Sequence, residues 1–149
     1  MIEYKFRITY QHGETGRIVQ KFIVLGEPIQ PNFDGWSLIG KDQFAGILDV
    51  DSREMYGMDY VQDMGDLDKK IYRVVWGGYW NDMGFGIERR RKEDESGSRP
   101  FTWDLLNPTW SSTLRIVGNC YENPELGKEV EVEGLNSKEV FEWISDWER

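Results

Sequence analysis

Carboxylates are concentrated between residues 49 and 68, where their density could support metal chemistry. Carboxylate oxygens are ligands that Ca²⁺ and Mg²⁺ prefer in proteins. A calcium loop of the EF-hand type starting at Asp49 is excluded, because its sixth residue is Glu54 instead of glycine and its twelfth is Tyr60 instead of Glu. The candidates for a metal site built by the fold are Asp49, Asp51, Glu54 and Asp59. The simpler interpretation places these side chains in solvent-exposed turns and at capping positions, and it predicts no metal or cofactor.

Nucleophilic chemistry would have to use the single histidine or the single cysteine of the chain. His12 lies between Gln11 and Gly13 in a predicted turn, where a histidine is more often solvated than catalytic. Cys120 lies in an apolar strand, where cysteine behaves as a small hydrophobic residue. We therefore assign no catalytic residue.

Three other patterns could bind ligands. The basic run of residues 89–92 is followed directly by acidic residues 93–95, which cancel most of its field, so we predict a solvated strand end and loop. The glycine-rich segment "GGYWNDMGFG" lacks the Lys-Ser/Thr ending of a phosphate-binding loop. The seven tryptophans exceed what a core of this size needs, and Trp is enriched at interfaces. The candidates for a binding surface are Trp80, Trp103, Trp110, Asp63 and Asp66.

Bulk composition is that of a globular protein. The chain has 149 residues, 14% of them aromatic, and a formal net charge of −9. This charge opposes binding to nucleic acid and to anionic membranes, although an acidic protein can also mimic nucleic acid. One cysteine allows no internal disulfide, and the first residues do not resemble a signal peptide, so we expect a cytoplasmic protein without a membrane segment.

The elements that must position these side chains are mostly strands. The segment "IEYKFRITY" alternates apolar and polar residues, which predicts a half-buried strand, and "RIVQKFIVL" completes a hairpin. Further strands are predicted at "KIYRVVW", in "GGYWNDMGFGIERRR" and at "STLRIVGNCY", with a turn at "DVDS". The segment "TWDLLNPTW" is predicted to contain one helical turn ended by Pro108.

The C-terminus changes period and predicts an amphipathic helix. Asn136 can cap this helix, with Glu139 three residues later as in a capping box. Apolar residues then recur at helical spacing through Trp147. We expect a mainly β protein, α+β at the margin, with antiparallel hairpins and this C-terminal helix. It would form one domain over residues 1–149, with a subdivision into an N-terminal hairpin region (1–35), a barrel-like core (36–134) and the helix (135–149).

Two motifs resemble the YopX family of small phage and prophage proteins. "VGNCYENPEL", residues 117–126, is similar to the signature of that family near its C-terminus, and "FAGILDVDSREMYGMDYV", residues 44–61, is similar to its central segment. The matching residues to which we assign a structural role are Gly46, Tyr56, Asp59, Gly118, Asn119, Tyr121, Asn123 and Pro124. Two departures concern glycine: the family turn reads Asn-Gly where this chain has Asp51-Ser52, and the family glycine before the aspartate is Met58 here. If that glycine needs a positive φ, Met58 must accept strain or adopt another turn.

The resemblance implies a largely β protein with a small SH3-like barrel, encoded by a phage or prophage and working inside a bacterial cell. The resemblance assigns no catalytic residue to this chain. Our first hypothesis is a non-enzymatic accessory protein that binds a host or phage protein through its acidic surface and tryptophans. A more specific form of this hypothesis is an acidic inhibitor of a host defence or nucleic-acid-handling factor. The alternatives are a carboxylate-based metal-dependent enzyme or small-ligand binder, and a nucleic-acid-binding small barrel. Homo-oligomerisation stays open.

Overall fold

The alternating residues at the start of the chain form the first hairpin. The computed structural model describes residues 4–67, 70–79, 82–90, 101–107 and 112–130. In it, β1 (Lys5–His12) pairs antiparallel with β2 (Ile18–Val24). Their register places Phe6 opposite Ile23. The predicted hairpin is confirmed.

Both hairpin strands belong to a five-stranded antiparallel sheet in the order β2-β1-β4-β3, with β5 added to β4. β3 (Asn32–Phe33) and β5 (Glu54–Tyr56) are short, whereas β4 (Trp36–Leu48) has 13 residues. The first part of β4 pairs with β1 and its last part with β5, so β4 carries the chain from the hairpin towards the central segment.

The second five-stranded antiparallel sheet has the order β10-β6-β7-β8-β9. Aromatic and β-branched residues are dense in its central strands, as expected for a pleated and partly buried surface. Its strands are β6 (Asp59–Asp63), β7 (Ile71–Tyr79), β8 (Asp82–Arg90), β9 (Phe101–Leu105) and β10 (Leu114–Asn119).

The structure is mostly β, with antiparallel sheets that curl into a half-barrel, which confirms the predicted fold class. The helical turn predicted in "TWDLLNPTW" is wrong. Residues Phe101–Leu105 form β9, because pairing with β8 along its whole length outweighs a weak local preference. The predicted C-terminal helix, residues 135–149, lies outside the described residues.

The apolar residues gather in two clusters. The larger cluster packs under the second sheet and contains Met55, Val61, Val74, Ile87, Leu106 and Leu114. The smaller cluster lies on one face of the first hairpin, where Ile8, Tyr10 and Ile23 are covered by the loop that leads to β3. Trp36, the first residue of the predicted barrel-like core, packs against this smaller cluster, and its strand pairs with β1.

β10 leads into a turn and then into a 3-10 helix, Pro124–Glu129, with proline in its first turn. Proline is favourable there because its fixed φ suits the helix and its missing N–H is not needed. Among the residues that the structure describes, no helix has the length and apolarity to cross a membrane.

Candidate functional site

An open cleft of about 490 Å³ lies where the first sheet faces the exit of β10. Its floor includes Arg7 from β1 and Asp59 from the start of β6. Phe22 from β2 and Tyr56 from β5 form an aromatic side, and residues 116–119 form the opposite side. The cleft therefore joins the first hairpin to both motifs that carry the family resemblance.

Arg7 is the central charged group below this cleft, with 4% of its surface exposed. Its Nη1 donates to Asp59 Oδ1, and its Nη2 donates to the Gly57 carbonyl at 3.0 Å. Its guanidinium carbon lies 5.5 Å from the ring centre of Tyr56 and 5.9 Å from that of Tyr121, within the range of cation–π contacts. Arg7 therefore ties β1 to the β5–β6 turn and is held between two aromatic rings.

A second carboxylate faces the same guanidinium. Asp42 Oδ2 lies 3.5 Å from Arg7 Nη2, and the Tyr121 hydroxyl donates to the Asp42 carboxylate. Asp42 Oδ2 and Arg7 Nε are both buried without a hydrogen bond to the described residues. The cluster thus places two carboxylates around one guanidinium, and its polar atoms are incompletely satisfied.

Burial controls the ionisation of this cluster. It raises the pKa of both Asp42 and Asp59, and Arg7 offsets this only in part. Burial alone would lower the pKa of Arg7, but Asp59 and Asp42 hold it above its ordinary value. Burial, with the charge of Asp42, also raises the pKa of Tyr121, so its hydroxyl stays protonated and remains a donor.

The aromatic side of the cleft combines a buried ring with an exposed one. Tyr56 is buried, whereas Phe22 is 59% exposed and lies 5.3 Å from it between ring centres. Burial and the neighbouring Glu54 raise the pKa of Tyr56 to about 12, so this phenol is not a base near neutral pH. Glu54 itself accepts a hydrogen bond from Lys5 Nζ at 2.6 Å.

The segment after β10 is a compact turn built by asparagine side chains. Asn119 Oδ1 accepts the N–H groups of Tyr121 and Glu122, each at 3.0 Å. Asn123 Oδ1 accepts the Asn119 N–H at 3.3 Å. This is the behaviour for which asparagine is favoured in turns. Local hydrogen bonds therefore hold this turn, and its residues Asn119, Glu122 and Asn123 line the cleft.

Two glycines permit close approaches around this turn. A methyl group at Gly118 would collide with the Asn123 side chain, and a methyl group at Gly40 would collide with the Tyr121 hydroxyl. Gly40 lies on β4, so this contact seats Tyr121 against the first sheet. Gly118, Tyr121 and Asn123, all within residues 117–126, therefore pack as one unit.

Asp49 joins the β4–β5 turn to β10. Its Oδ1 accepts the N–H groups of Asp51 and Arg53, each at 2.9 Å, and its Oδ2 accepts the Ile116 N–H at 3.0 Å. Arg53 also pairs with Oδ2 and donates to the Ile116 carbonyl at 2.8 Å. Burial would raise the pKa of Asp49, but the backbone donors and Arg53 lower it below its ordinary value.

The four candidate metal ligands all have protein partners. Asp49 bonds to backbone N–H groups, Asp51 pairs with Arg115 at 3.0 Å, and Glu54 pairs with Lys5. Asp59 is the first residue of β6 and accepts the Tyr56 N–H at 2.8 Å besides pairing with Arg7. Within the described ranges, no group of three or more His, Cys, Asp or Glu side chains is placed to hold a metal ion.

The predicted binding-surface residues are placed only in part. Asp63 ends β6 and accepts the Gly65 N–H at 2.9 Å, and Asp66 is half-buried in the following loop. Trp103 lies on β9 in register with Glu88. Trp80 and Trp110 lie outside the described residues, so the predicted tryptophan surface stays a prediction.

Arg89 corrects the interpretation of the basic run as a solvated strand end. It is only 8% exposed and lies 5.9 Å from the Tyr72 ring centre. On the neighbouring position of β8, Glu88 forms a buried pair with Arg73 at 2.6 Å. The second sheet therefore buries charged side chains that local sequence would place in water.

The single histidine accepts hydrogen bonds in a turn, and the single cysteine is a half-buried thiol. His12 ends β1, and its Nδ1 accepts the N–H groups of Glu14 and Thr15 in the turn. Cys120 is half-buried, and burial raises its thiol pKa to about 11. A thiol with this pKa holds little thiolate at neutral pH.

The sequence interpretation missed Arg7 and Asp42. The alternation of "IEYKFRITY" places Arg7 on the polar face of a half-buried strand, where solvent exposure is expected, but both Arg7 and Thr9 are buried. Alternation predicted the two faces of β1 but not that the second sheet and residue 121 cover the polar one.

The two glycine departures coincide with left-handed backbone. Ser52 has φ 62° and Met58 has φ 69°. These are the positions at which the YopX pattern has glycine, and glycine adopts such angles without a steric cost. Met58 therefore accepts backbone strain. Its carbonyl accepts the Cys120 N–H, and its N–H donates to the Val74 carbonyl.

No model of a known protein family matches the chain, and the search of curated proteins gives no match either.

Proposed function

We propose that this chain is a non-enzymatic binding module for another protein. The observation that carries the proposal is the open cleft with Phe22 exposed on its side. Further exposed apolar residues follow on the same strand and its end: Val24 is 47% exposed and Leu25 is 65% exposed. An apolar group beside a structured polar cleft is typical of a protein contact surface.

The acid–base groups around the cleft support binding over catalysis. Asp59 is engaged by Arg7 and a backbone N–H, and Asp49 is engaged by three backbone N–H groups and Arg53. The pKa of Tyr56 is about 12 and that of Cys120 about 11. General acid–base or nucleophilic catalysis near neutral pH needs a group that ionises close to that pH, and the Tyr56 phenol and the Cys120 thiol ionise well above it.

The resemblance to the YopX family places such a module in a phage or prophage, acting inside the bacterial cell on a host or phage protein. The left-handed angles at Ser52 and Met58 support that resemblance, because they occur where the family pattern has glycine. The net charge of −9 favours a basic partner surface through electrostatic steering. An acidic inhibitor of a host nucleic-acid-handling factor is the sharper form of this proposal.

Affinity capture from host lysate tests the proposal. The full chain should retain a partner that Phe22→Ser loses, whereas Leu67→Ser, at a fully exposed position away from the cleft, should retain it. Equal capture by both variants would contradict a role for the cleft.

Thermal stability with Mg²⁺, Mn²⁺ and Ca²⁺ tests the carboxylate enzyme, since a metal bound to the native state must raise the melting temperature. A salt-sensitive gel shift would favour the nucleic-acid binder.

A further inference from the structure

Among the described strands, β2 has a neighbour on one side only. It lies at the edge of the first sheet, and among the described strands it pairs with β1 alone. The His12 N–H donates to the Arg17 carbonyl at 2.9 Å, and the Leu25 N–H donates to the Tyr4 carbonyl at 2.8 Å. Because bonded pairs alternate along an antiparallel ladder, the odd-numbered residues of β2 bond to β1. The N–H and C=O groups directed away from β1 are those of Ile18, Gln20, Phe22 and Val24.

One end of this free edge is already closed. Glu27 Oε1 accepts the Val24 N–H at 3.2 Å, and the Glu27 N–H donates to the Val24 carbonyl at 3.2 Å. Ile18, Gln20 and Phe22 have no such partners for these backbone groups in the part of the chain that the structure describes. Their N–H and C=O groups form a continuous open row along the strand.

The edge carries little of the protection usual for exposed strands. Proteins blunt free edges with proline, bulges or several charges. The register of β1 with β2 is unbroken from Lys5 to Gln11, and β2 contains no proline and a single charge, Lys21. Phe22 is instead 59% exposed. Such an edge is suited to accept another strand.

Cavities lie on both faces of β2. Phe22 lines the 490 Å³ cleft on one face. On the other face, Lys21 and Ile23 line a pocket of about 340 Å³ whose remaining walls include Tyr10, Ile29 and Phe33. Because side chains alternate along a strand, successive side chains of an added strand would enter the two cavities in turn.

We infer that the chain binds an extended peptide segment of its partner as an additional strand along the Ile18–Val24 edge. This inference rests on the proposed function and names its site and ligand class. Backbone bonds to the row at residues 18, 20 and 22 hold the segment. Its apolar side chains enter the two cavities, and a carboxylate side chain beside Lys21 completes the contact.

Charge selects a foreign peptide over a second copy of the chain. β2 and the residue before it carry Lys21 and Arg17, both exposed, and no acidic residue. Two copies joined antiparallel through β2 would place these cations on one ribbon, and each copy has a net charge of −9. Like charges across adjacent strands destabilise pairing, whereas a carboxylate beside Lys21 stabilises it.

The experiment selects binders to the full chain from a display library of random seven-residue peptides. Enriched peptides are expected to carry apolar residues on both faces of the added strand, with one acidic residue placed to meet Lys21. N-methylation of the peptide amides that face β2 should weaken binding by about tenfold per amide, whereas methylation of the amides between them, which point to solvent, should not.

Two variants of the chain complete the experiment. Gln20→Pro removes an outward N–H without removing a bond to β1, so the fold should persist while peptide affinity falls roughly tenfold. Lys21→Glu, at an exposed position, should reverse the preference from acidic to basic peptides. Circular dichroism shows whether each variant keeps its sheets.

The outcomes separate this inference from the proposed function. Peptides insensitive to N-methylation and to Gln20→Pro would overturn the strand site while leaving protein binding intact. No enriched peptide, together with Phe22-dependent capture of a host protein, would do the same. A dimer in light scattering that Gln20→Pro dissociates would assign the edge to a second copy and overturn the choice of a foreign peptide.

Discussion

Replacing Arg7 with methionine tests whether the buried carboxylates beneath the cleft depend on its charge. Methionine keeps an unbranched apolar body close in size to the arginine stem but removes the guanidinium. Asp59 then loses its ion pair, Asp42 loses its neighbour at 3.5 Å, and the Gly57 carbonyl loses a donor at 3.0 Å. Asp42 and Asp59 are 8% and 2% exposed, so water cannot replace these partners fully.

The expected loss is about 3–5 kcal/mol of unfolding free energy near neutral pH, because breaking a buried pair leaves an uncompensated charge. This is a large part of the roughly 5–15 kcal/mol that stabilises a typical domain. The matched control is Lys5→Met on the same strand. Lys5 and Glu54 pair at 2.6 Å with side chains 28% and 34% exposed, and such a pair contributes about 0–1 kcal/mol.

Acidification should restore part of the loss. Burial already raises the pKa of Asp42 and of Asp59 above that of an ordinary aspartate, and removing the cation raises it further. A carboxyl whose pKa is higher in the folded state binds its proton there first, so stability increases as pH falls towards the unfolded pKa. The difference between Arg7→Met and Lys5→Met should therefore narrow from about pH 7.5 to about pH 5.

Urea unfolding followed by tryptophan fluorescence measures this difference, since the midpoint multiplied by the slope gives the free energy. Far-ultraviolet circular dichroism should report the same midpoint if unfolding is two-state. A difference below about 1 kcal/mol between the two variants would show that Asp42 and Asp59 are hydrated. A difference that stays constant or widens on acidification would refute the assignment of raised pKa values to them.

Three further predictions concern the backbone and the thiol. Ser52→Gly should raise the free energy of unfolding in urea by about 0.5–1 kcal/mol, because glycine removes the cost of a left-handed angle. Met58→Gly should raise it by less, because this substitution also removes a half-buried side chain. Gly118→Ala should lower the free energy of unfolding by about 1–3 kcal/mol in the same assay, because the added methyl group collides with the adjoining turn. The control Gly13→Ala should leave it nearly unchanged, because the added carbon meets its nearest neighbour at 3.6 Å. The Cys120 thiol, with its pKa raised from 9.0 to about 11, should be alkylated about a hundredfold more slowly than an ordinary thiol in a mildly alkaline iodoacetamide time course.

Each of these has a clear contrary result. A loss of stability in Ser52→Gly would mean that the serine side chain stabilises the turn more than its φ angle costs. Equal effects of Gly118→Ala and Gly13→Ala would contradict the close approach to the Asn123 side chain. Alkylation of Cys120 at the rate seen in the urea-unfolded chain would contradict its burial.

Local patterns predicted the elements whose stabilising contacts are near in sequence. The β1–β2 hairpin follows from alternation and two turn glycines, and the bent exit of β10 follows from Asn119, Asn123 and Pro124. The same reasoning failed for Phe101–Leu105, where pairing with β8 decides the conformation. It also placed Arg89 in water, because period and charge do not show what covers the far face of a sheet.

The sequence by itself determined a mainly β chain, its antiparallel hairpins and its net charge of −9, since these depend on residue types and short-range patterns. Only the tertiary structure decided that Arg7 meets Asp59 across 52 residues, that the same cleft receives Tyr56 and residues 116–119, and that β2 pairs on one side only among the described strands. The physical reason is that burial and charge pairing depend on which surfaces the chain brings together, and no local period records that choice.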